Sequence, residues 1–171
     1  MTQPIEVERL SAAYSVRALS EADIPDILAL YRGNPDYFKH CPPAPSENSI
    51  RLDLSALPAG KERGDKYFVG FYQSGILVAV MDLIAGYPEE EMAFIGLFMV
   101  DGRFRHRGTG TAIVTDCLRA LSAAGYGYAQ LGCVESNRNG LAFWRRNGFS
   151  AVDAVRQARY TVVRMKRALP R

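Results

Sequence analysis

Midway along the chain an apolar run ending in Phe98, Met99 and Val100 leads into Asp101-Gly102-Arg103-Phe104-Arg105-His106-Arg107-Gly108-Thr109-Gly110, and a helix-spaced segment begins at Thr111. A strand, a basic glycine turn and a helix in that order constrain the fold more than any other stretch. The first N–H groups of a helix lack intrahelical acceptors and sit at the positive end of the macrodipole, so an anion is favoured there. Gly108 and Gly110 take away the Cβ that would hold a ligand off the backbone. With basic side chains on either side, the turn suits a polyphosphate. The strand that follows the helix must be reached by a crossover, which makes it parallel to the first.

Two common phosphate patterns do not fit this turn. A Walker loop needs G-x-x-x-x-G-K-[ST], but Arg103 stands five before Gly108 and Thr109 stands where the lysine belongs. The dinucleotide pattern G-x-G-x-x-G would put glycine at position 113, which is Ile113, and should open an early βαβ unit rather than follow residue 100. What remains is Arg105-x-x-Gly108-x-Gly110. Its bland alternative is a solvated basic turn with glycines for geometry.

A second pattern lies downstream, in Asn137-Arg138-Asn139-Gly140-Leu141-Ala142-Phe143-Trp144-Arg145-Arg146-Asn147-Gly148-Phe149. Together the two segments resemble the GNAT superfamily of N-acetyltransferases. There R/Q-x-x-G-x-G/A holds the pyrophosphate of acetyl-CoA, and Asn, a small residue, an aromatic and Gly-Phe recur with the spacing of Asn137, Gly140, Trp144, Gly148 and Phe149. The resemblance runs from about Tyr14 to Leu169, with the first third matching only in element order.

The rest of the chain reads as follows. Residues 1–13 have little pattern and are expected to be a flexible leader, with a single domain over 14–169. Tyr14–Ala18 alternates as a short strand, and Ser20-x-x-Asp23 opens a helix as a capping box, with Pro25 a source of distortion in its first turn. Residues 33–45, rich in Pro, Asn and Asp, read as loop, and 46–57 as a helix closed by Pro58. Lys66–Gln73, Ile76–Ala85 and Met92–Val100 read as successive strands, the first two joined by Ser74-Gly75. Thr111–Ala124 is the strongest helix. Tyr128–Val134 is a strand, Gly140–Arg146 a helix, and 151–167 a strand pair. The fold class is α/β (α+β): a mixed, mostly antiparallel sheet of six to seven strands, with one parallel crossover at the fourth and fifth strands and flanking helices.

Composition narrows the function classes. The chain has 171 residues, 48% of them apolar and 23% charged, with a net charge of +3. That charge is too small to imply nucleic acid, no apolar run approaches the ~18–20 residues of a membrane span, and no signal-peptide pattern opens the chain. The expectation is a cytoplasmic protein with no nucleic-acid or membrane partner. Cys41, Cys117 and Cys133 form no C-x-x-C pair, so neither a disulfide framework nor a metal is expected.

What the resemblance implies is more specific. Acetyl-CoA would be the co-substrate, its pyrophosphate on Arg105, His106, Arg107, Gly108, Thr109, Gly110 and Thr111. Its pantetheine arm would meet main-chain groups of Phe98, Met99 and Val100, with Asn137 and Trp144 nearby. Gly96 reads as a bulge or close approach in that strand, and Gly132 would leave room beside it, unless both glycines only relieve packing. The Met99 backbone N–H is the candidate oxyanion donor. Many family members carry a tyrosine at the position of Trp144, whose phenol protonates the leaving thiolate. An indole cannot do this, so the acid is unassigned, and Trp144 reads as a packing residue. No carboxylate lies between Ala93 and Val100. Asp82, Glu91 and Glu135 are the nearest, each read first as a surface or ion-pair carboxylate, and no base is assigned. The acceptor would be an amine, of a small molecule or a peptide. The alternative is a non-catalytic acyl-CoA sensor, and a homodimer through the C-terminal strands is compatible with the sequence.

Overall fold

The computed structural model describes all 171 residues. The alternating and β-branched runs become strands: β1 (Ser15–Ala18), β2 (Lys66–Gln73), β3 (Ile76–Ala85), β4 (Met92–Val100), β5 (Tyr128–Val134), β6 (Ser150–Arg156) and β7 (Thr161–Ala168). They form one sheet in the order β1-β2-β3-β4-β5-β7-β6, antiparallel throughout except for parallel β4 and β5. The helices are α1 (Ile24–Arg32), α2 (Pro35–His40), α3 (Glu47–Ser55), α4 (Thr109–Ala123) and α5 (Arg138–Arg146).

Two apolar cores lie on opposite faces of the sheet. Ile113, Val114, Cys117, Leu118 and Leu121 of α4, with Leu141 and Trp144 of α5, pack against Val69, Phe71, Met81 and Leu83. On the other face Ile24, Ile27, Leu30 and Tyr31 of α1, with Ile50 of α3, pack against Phe68, Val80 and Met99. The period-two alternation of each strand supplies both cores.

Two expectations need correction. Residues 1–13, read as a flexible leader, pack onto the α4 side: Leu10 and Ile5 are buried in the core there. Gln3 N–H donates to Ala124 O at 2.8 Å and Ala12 N–H to Asp116 Oδ2 at 3.0 Å. Few apolar residues at irregular spacing suffice because Val7 packs beside those two and the main-chain bonds hold the rest. Leu10→Ala should therefore cost about 2–5 kcal/mol; a free leader would leave the melting temperature where it is. Second, residues 33–45 are not all loop, because α2 forms within them. Pro35 sits at its first turn, where no N–H is needed, and Phe38 packs on Tyr31 with ring centroids 5.3 Å apart. The distortion expected around Pro25 is present: the α-helix starts only at Ile24, with Pro25 in its first turn. The turn before it is a 3-10 turn held by the Ser20–Asp23 capping box, with Arg17 donating to both oxygens of Asp23.

Candidate active site

β4 carries the bulge. Its register to β3 pairs Asp82 with Leu97 but Leu83 with Ile95, so Gly96 is the extra residue. A Cβ at Gly96 would lie 2.7 Å from Asp82 Oδ2, which is why glycine stands there. Up to the bulge β4 pairs with β5, from Met92 through Ile95; beyond it the pairing stops. β5 continues along β7 alone, leaving a gap between residues 96–100 of β4 and 132–134 of β5.

The ladder decides which main-chain groups face that gap. Asp101 N–H donates to Val78 O at 2.7 Å, and the register pairs Met99 with Val80 and Phe98 with Met81. Residues bonded to the partner strand alternate in an antiparallel ladder. Met99 thus turns its N–H and C=O to β3, whereas Phe98 and Val100 turn theirs into the gap. The Val100 carbonyl is taken there by Asn34 Nδ2 at 3.1 Å. The Met99 N–H named from the sequence as oxyanion donor is consequently committed to the sheet, and the N–H groups of Phe98 and Val100 are the ones available. The Met99 side chain is buried in the α1-side core.

At the end of β4 the chain turns through residues 101–108 into α4. His106 and Gly108 have φ of +60° and +76°, and Gly108 is the N-cap. The first main-chain bond of the helix runs from Ala112 N–H to Gly108 O. The six N–H groups from His106 to Thr111 have no protein acceptor. Arg105, His106 and Arg107 are exposed around them, and Thr109 is buried. Alternating left- and right-handed residues converge successive N–H groups into a concave anion site, and the helix dipole adds to it. The donor set fits a pyrophosphate.

Other expected residues have different local duties. Gly110 does not open a path to the backbone: a Cβ there would meet the Phe143 ring at 3.1 Å, so it lets α4 approach α5. A Cβ on Gly132 would lie 2.8 Å from Val162, so that glycine relieves cross-strand packing rather than widening the gap. Asn137 is the N-cap of α5, accepting from Gly140 N–H at 3.0 Å. Trp144 is buried edge-on to Phe143 and Phe149 and tilted against Phe98, a core aromatic under the gap wall. Thr111 Oγ1 receives Asn147 Nδ2 at 3.4 Å.

On the α1 face, beside the bulge, lies a cavity of about 250 Å³. Tyr31, Tyr37, Phe38, Phe68, Asp53 and Asp82 line it, with Gly96 and Leu97 of the bulged strand on its β4 side. Asp53 accepts the Tyr31 hydroxyl at 2.8 Å. Lys66 Nζ donates to Asp82 Oδ2 at 2.9 Å and to Ala56 O at 2.8 Å, while Asp82 Oδ1 is buried without a partner. Burial lifts both carboxyls above the ordinary aspartate range, and at Asp82 the charge of Asp53 adds to the shift against the opposing pull of Lys66. Of the three carboxylates noted from the sequence, Asp82 alone reaches this place; Glu91 and Glu135 are exposed at strand ends. Sequence reasoning missed Asp53, although its helix α3 was expected, because nothing local aims it at Tyr31; it missed Tyr37 and Phe38 because α2 was read as loop. The Asn34-Pro35-Asp36 start was the signal that could have found it.

A run of free N–H groups at a helix head, beyond a bulged strand that splays from its parallel neighbour, is an arrangement suited to a group transferase that takes its group from a phosphate-bearing donor. The Acetyltransferase (GNAT) family profile matches residues 27–149, and the chain belongs to that family and is an acyltransferase. An uncharacterized N-acetyltransferase of Methanocaldococcus jannaschii is 26% identical over 159 residues, 89% of this chain and 67% of that one. The fold is similar to an acetyltransferase from Thermus thermophilus (TM-score 0.75, 20% identity, 92% of this chain and 97% of that chain). It is also similar to the PaiA N-acetyltransferase of Thermoplasma acidophilum in complex with coenzyme A (TM-score 0.66, 17% identity, 91% and 98%). No helix is long and apolar enough to cross a membrane.

Proposed function

We propose that the protein transfers the acetyl group of acetyl-CoA directly to an amine. The observation that carries this is the run of six acceptor-free N–H groups, His106 to Thr111, at the end of the splayed strand. Bound there, acetyl-CoA supplies an activated thioester. Its pyrophosphate would take the cradle, flanked by Arg105, His106 and Arg107, and its arm would run along the gap against the free N–H groups of Phe98 and Val100. One of these N–H groups would polarise the thioester oxygen as it gains charge, a kind of contact typically worth about 3 kcal/mol in the transition state. An unprotonated amine attacks the carbonyl carbon, forming the C–N bond as the C–S bond breaks. The proton lost by nitrogen and the one gained by the thiol sulfur balance. Amine and thioester meet at Gly96, where the cavity on the α1 face adjoins the gap.

Thermal melting tests the donor. A ligand at 100 times its Kd stabilises the folded state by about 2.7 kcal/mol, which for a chain of this size raises the melting temperature by roughly 5–11 °C. Acetyl-CoA should give that shift, and ATP or NADH at equal concentration should not. An equal shift with ATP would reduce the cradle to a generic anion site. Thiol release with amines then separates an enzyme from a sensor: a sensor would bind acetyl-CoA yet release no CoA beyond background hydrolysis.

A further inference from the structure

The cavity on the α1 face holds an unbalanced charge. Two carboxylates, Asp53 and Asp82, stand against a single cation, Lys66, whose ammonium is already spent on Asp82 Oδ2 and the Ala56 carbonyl. Tyr31 donates one hydrogen bond to Asp53. The second oxygen of Asp82 has nothing. An unpartnered carboxylate oxygen out of water is costly, and a protein keeps one where a ligand or proton completes it. Around these groups the wall is aromatic, with Tyr37, Phe38 and Phe68 in the lining. A cation is the charge this site lacks, and ring faces attract cations as well as apolar surface.

We propose that the acceptor is a compact primary monoamine with an apolar or aromatic body and no carboxylate beside its nitrogen, bound as an ammonium between Asp53 and Asp82. The proposal rests on the acetyl-transfer reading for the reaction, but binding of the amine does not depend on it. The ammonium donates to the free oxygen of Asp53 beside the Asp82–Lys66 pair, where Asp82 Oδ1 is sealed from the cavity. The body of the amine lies against Phe38 and Phe68. Before attack the ammonium passes one proton to the Asp53 carboxylate, which frees the nitrogen lone pair. The second proton leaves as the C–N bond forms and the thiol sulfur gains one. Gly96 and Leu97 put its nitrogen next to the gap. A carboxylate on the adjacent carbon, as in a free amino acid, would add a third anion to a site that already has one too many. The backbone of a peptide acceptor would bring amide groups against Phe38 and Phe68, whose rings offer them no hydrogen-bond acceptor or donor of ordinary strength.

The test compares phenethylamine with phenylalanine, which differ only by the carboxylate, and with a short peptide beginning in alanine. Full-length protein is used for both readouts, thiol release with acetyl-CoA and thermal melting with each amine alone. Phenethylamine should exceed phenylalanine in kcat/KM by about tenfold or more, the scale of one hydrogen bond to a charged group, and should raise the melt without acetyl-CoA. Asp53→Asn should raise its KM by a similar factor while leaving the acetyl-CoA shift intact. Should that variant not fold, Ala56→Lys places a cation on the exposed rim without touching either carboxylate, and the same rise in KM is expected. Equal or better turnover of phenylalanine or the peptide, or an unchanged KM in both variants, overturns the proposal. Absence of an acetyl-CoA shift overturns the donor reading instead. In that case a phenethylamine shift seen in wild type and lost in Asp53→Asn still upholds the cavity assignment, and no such shift sinks it.

Discussion

Gly108→Asp is expected to remove most of the thermal stabilisation by acetyl-CoA while the unliganded protein melts within a few degrees of wild type. The substitution puts a carboxylate at the centre of the N–H cradle, where the pyrophosphate should sit. Two unit charges about 4 Å apart repel by about 4 kcal/mol at the effective dielectric of a protein surface. Allowing for partial solvent screening, a loss of about 2–4 kcal/mol is expected, or roughly 30- to 1,000-fold in Kd. The fold should survive, because a side chain at this position meets nothing within 4 Å. The φ of +76° is strained for most residues but less so for Asp. Gly108→Asn is the control, with the same shape and backbone demand but no charge. Near-wild-type binding by Asn and loss by Asp would locate the anion at this turn. Equal affinity for acetyl-CoA in Gly108→Asp would mean the phosphates lie elsewhere.

The strands and α4 were legible in the sequence because each carries its own period. β2, β3, β4 and β5 begin and end where the alternation and the flanking turn residues place them. The turn of free N–H groups was legible for the same reason: glycine at a helix start after a strand is a local signal. What escaped depended on contacts between distant parts of the chain. α2 is only six residues long, and its Phe38 is fixed by Tyr31 of α1 rather than by any periodicity of its own. Leu10 is held by α4 a hundred residues away. Gly110 looked like a concession to a ligand, yet the space is taken by Phe143, which no reading of its neighbours could show. The Met99 amide, named from the sequence as oxyanion donor, faces β3 instead of the gap. The Gly96 bulge shifts the register by one, and only the observed ladder tells which amides of β4 face outward. Asp82 was visible as a carboxylate but not as a wall of the cavity, because its place depends on Lys66 beside it and Gly96 across from it.

Asp82→Leu should be among the most destabilising single changes on this face, and a second substitution should reverse it. The Lys66 side chain is 6% exposed and that of Asp82 13%, so removing the carboxylate strands an ammonium with only the Ala56 carbonyl. Breaking a buried pair from one side costs about 3–5 kcal/mol, which lowers the melting temperature by roughly 6–20 °C for a domain of this size. Replacing both, Lys66→Met with Asp82→Leu, should recover most of that loss or exceed wild type, since apolar substitutes for a buried pair are often neutral or stabilising. The direction of the Asp82 shift supports this. Burial outweighs Lys66 and raises the carboxyl above its ordinary range, so ionising it costs more in the folded chain than in the unfolded one. Its contribution to stability is therefore fullest below the ordinary aspartate range and declines as pH rises through the raised folded value. Wild type and the double variant should accordingly differ least in acid, and any advantage of the double variant should widen toward neutral pH. The double variant should still bind acetyl-CoA through the Gly108 cradle while acetylating amines poorly, because the pair supports the acceptor cavity and not the cofactor. A double variant as unstable as Asp82→Leu alone would show that the pair is held by packing rather than by charge. One that acetylates amines at the wild-type rate would remove Asp82 from the acceptor site.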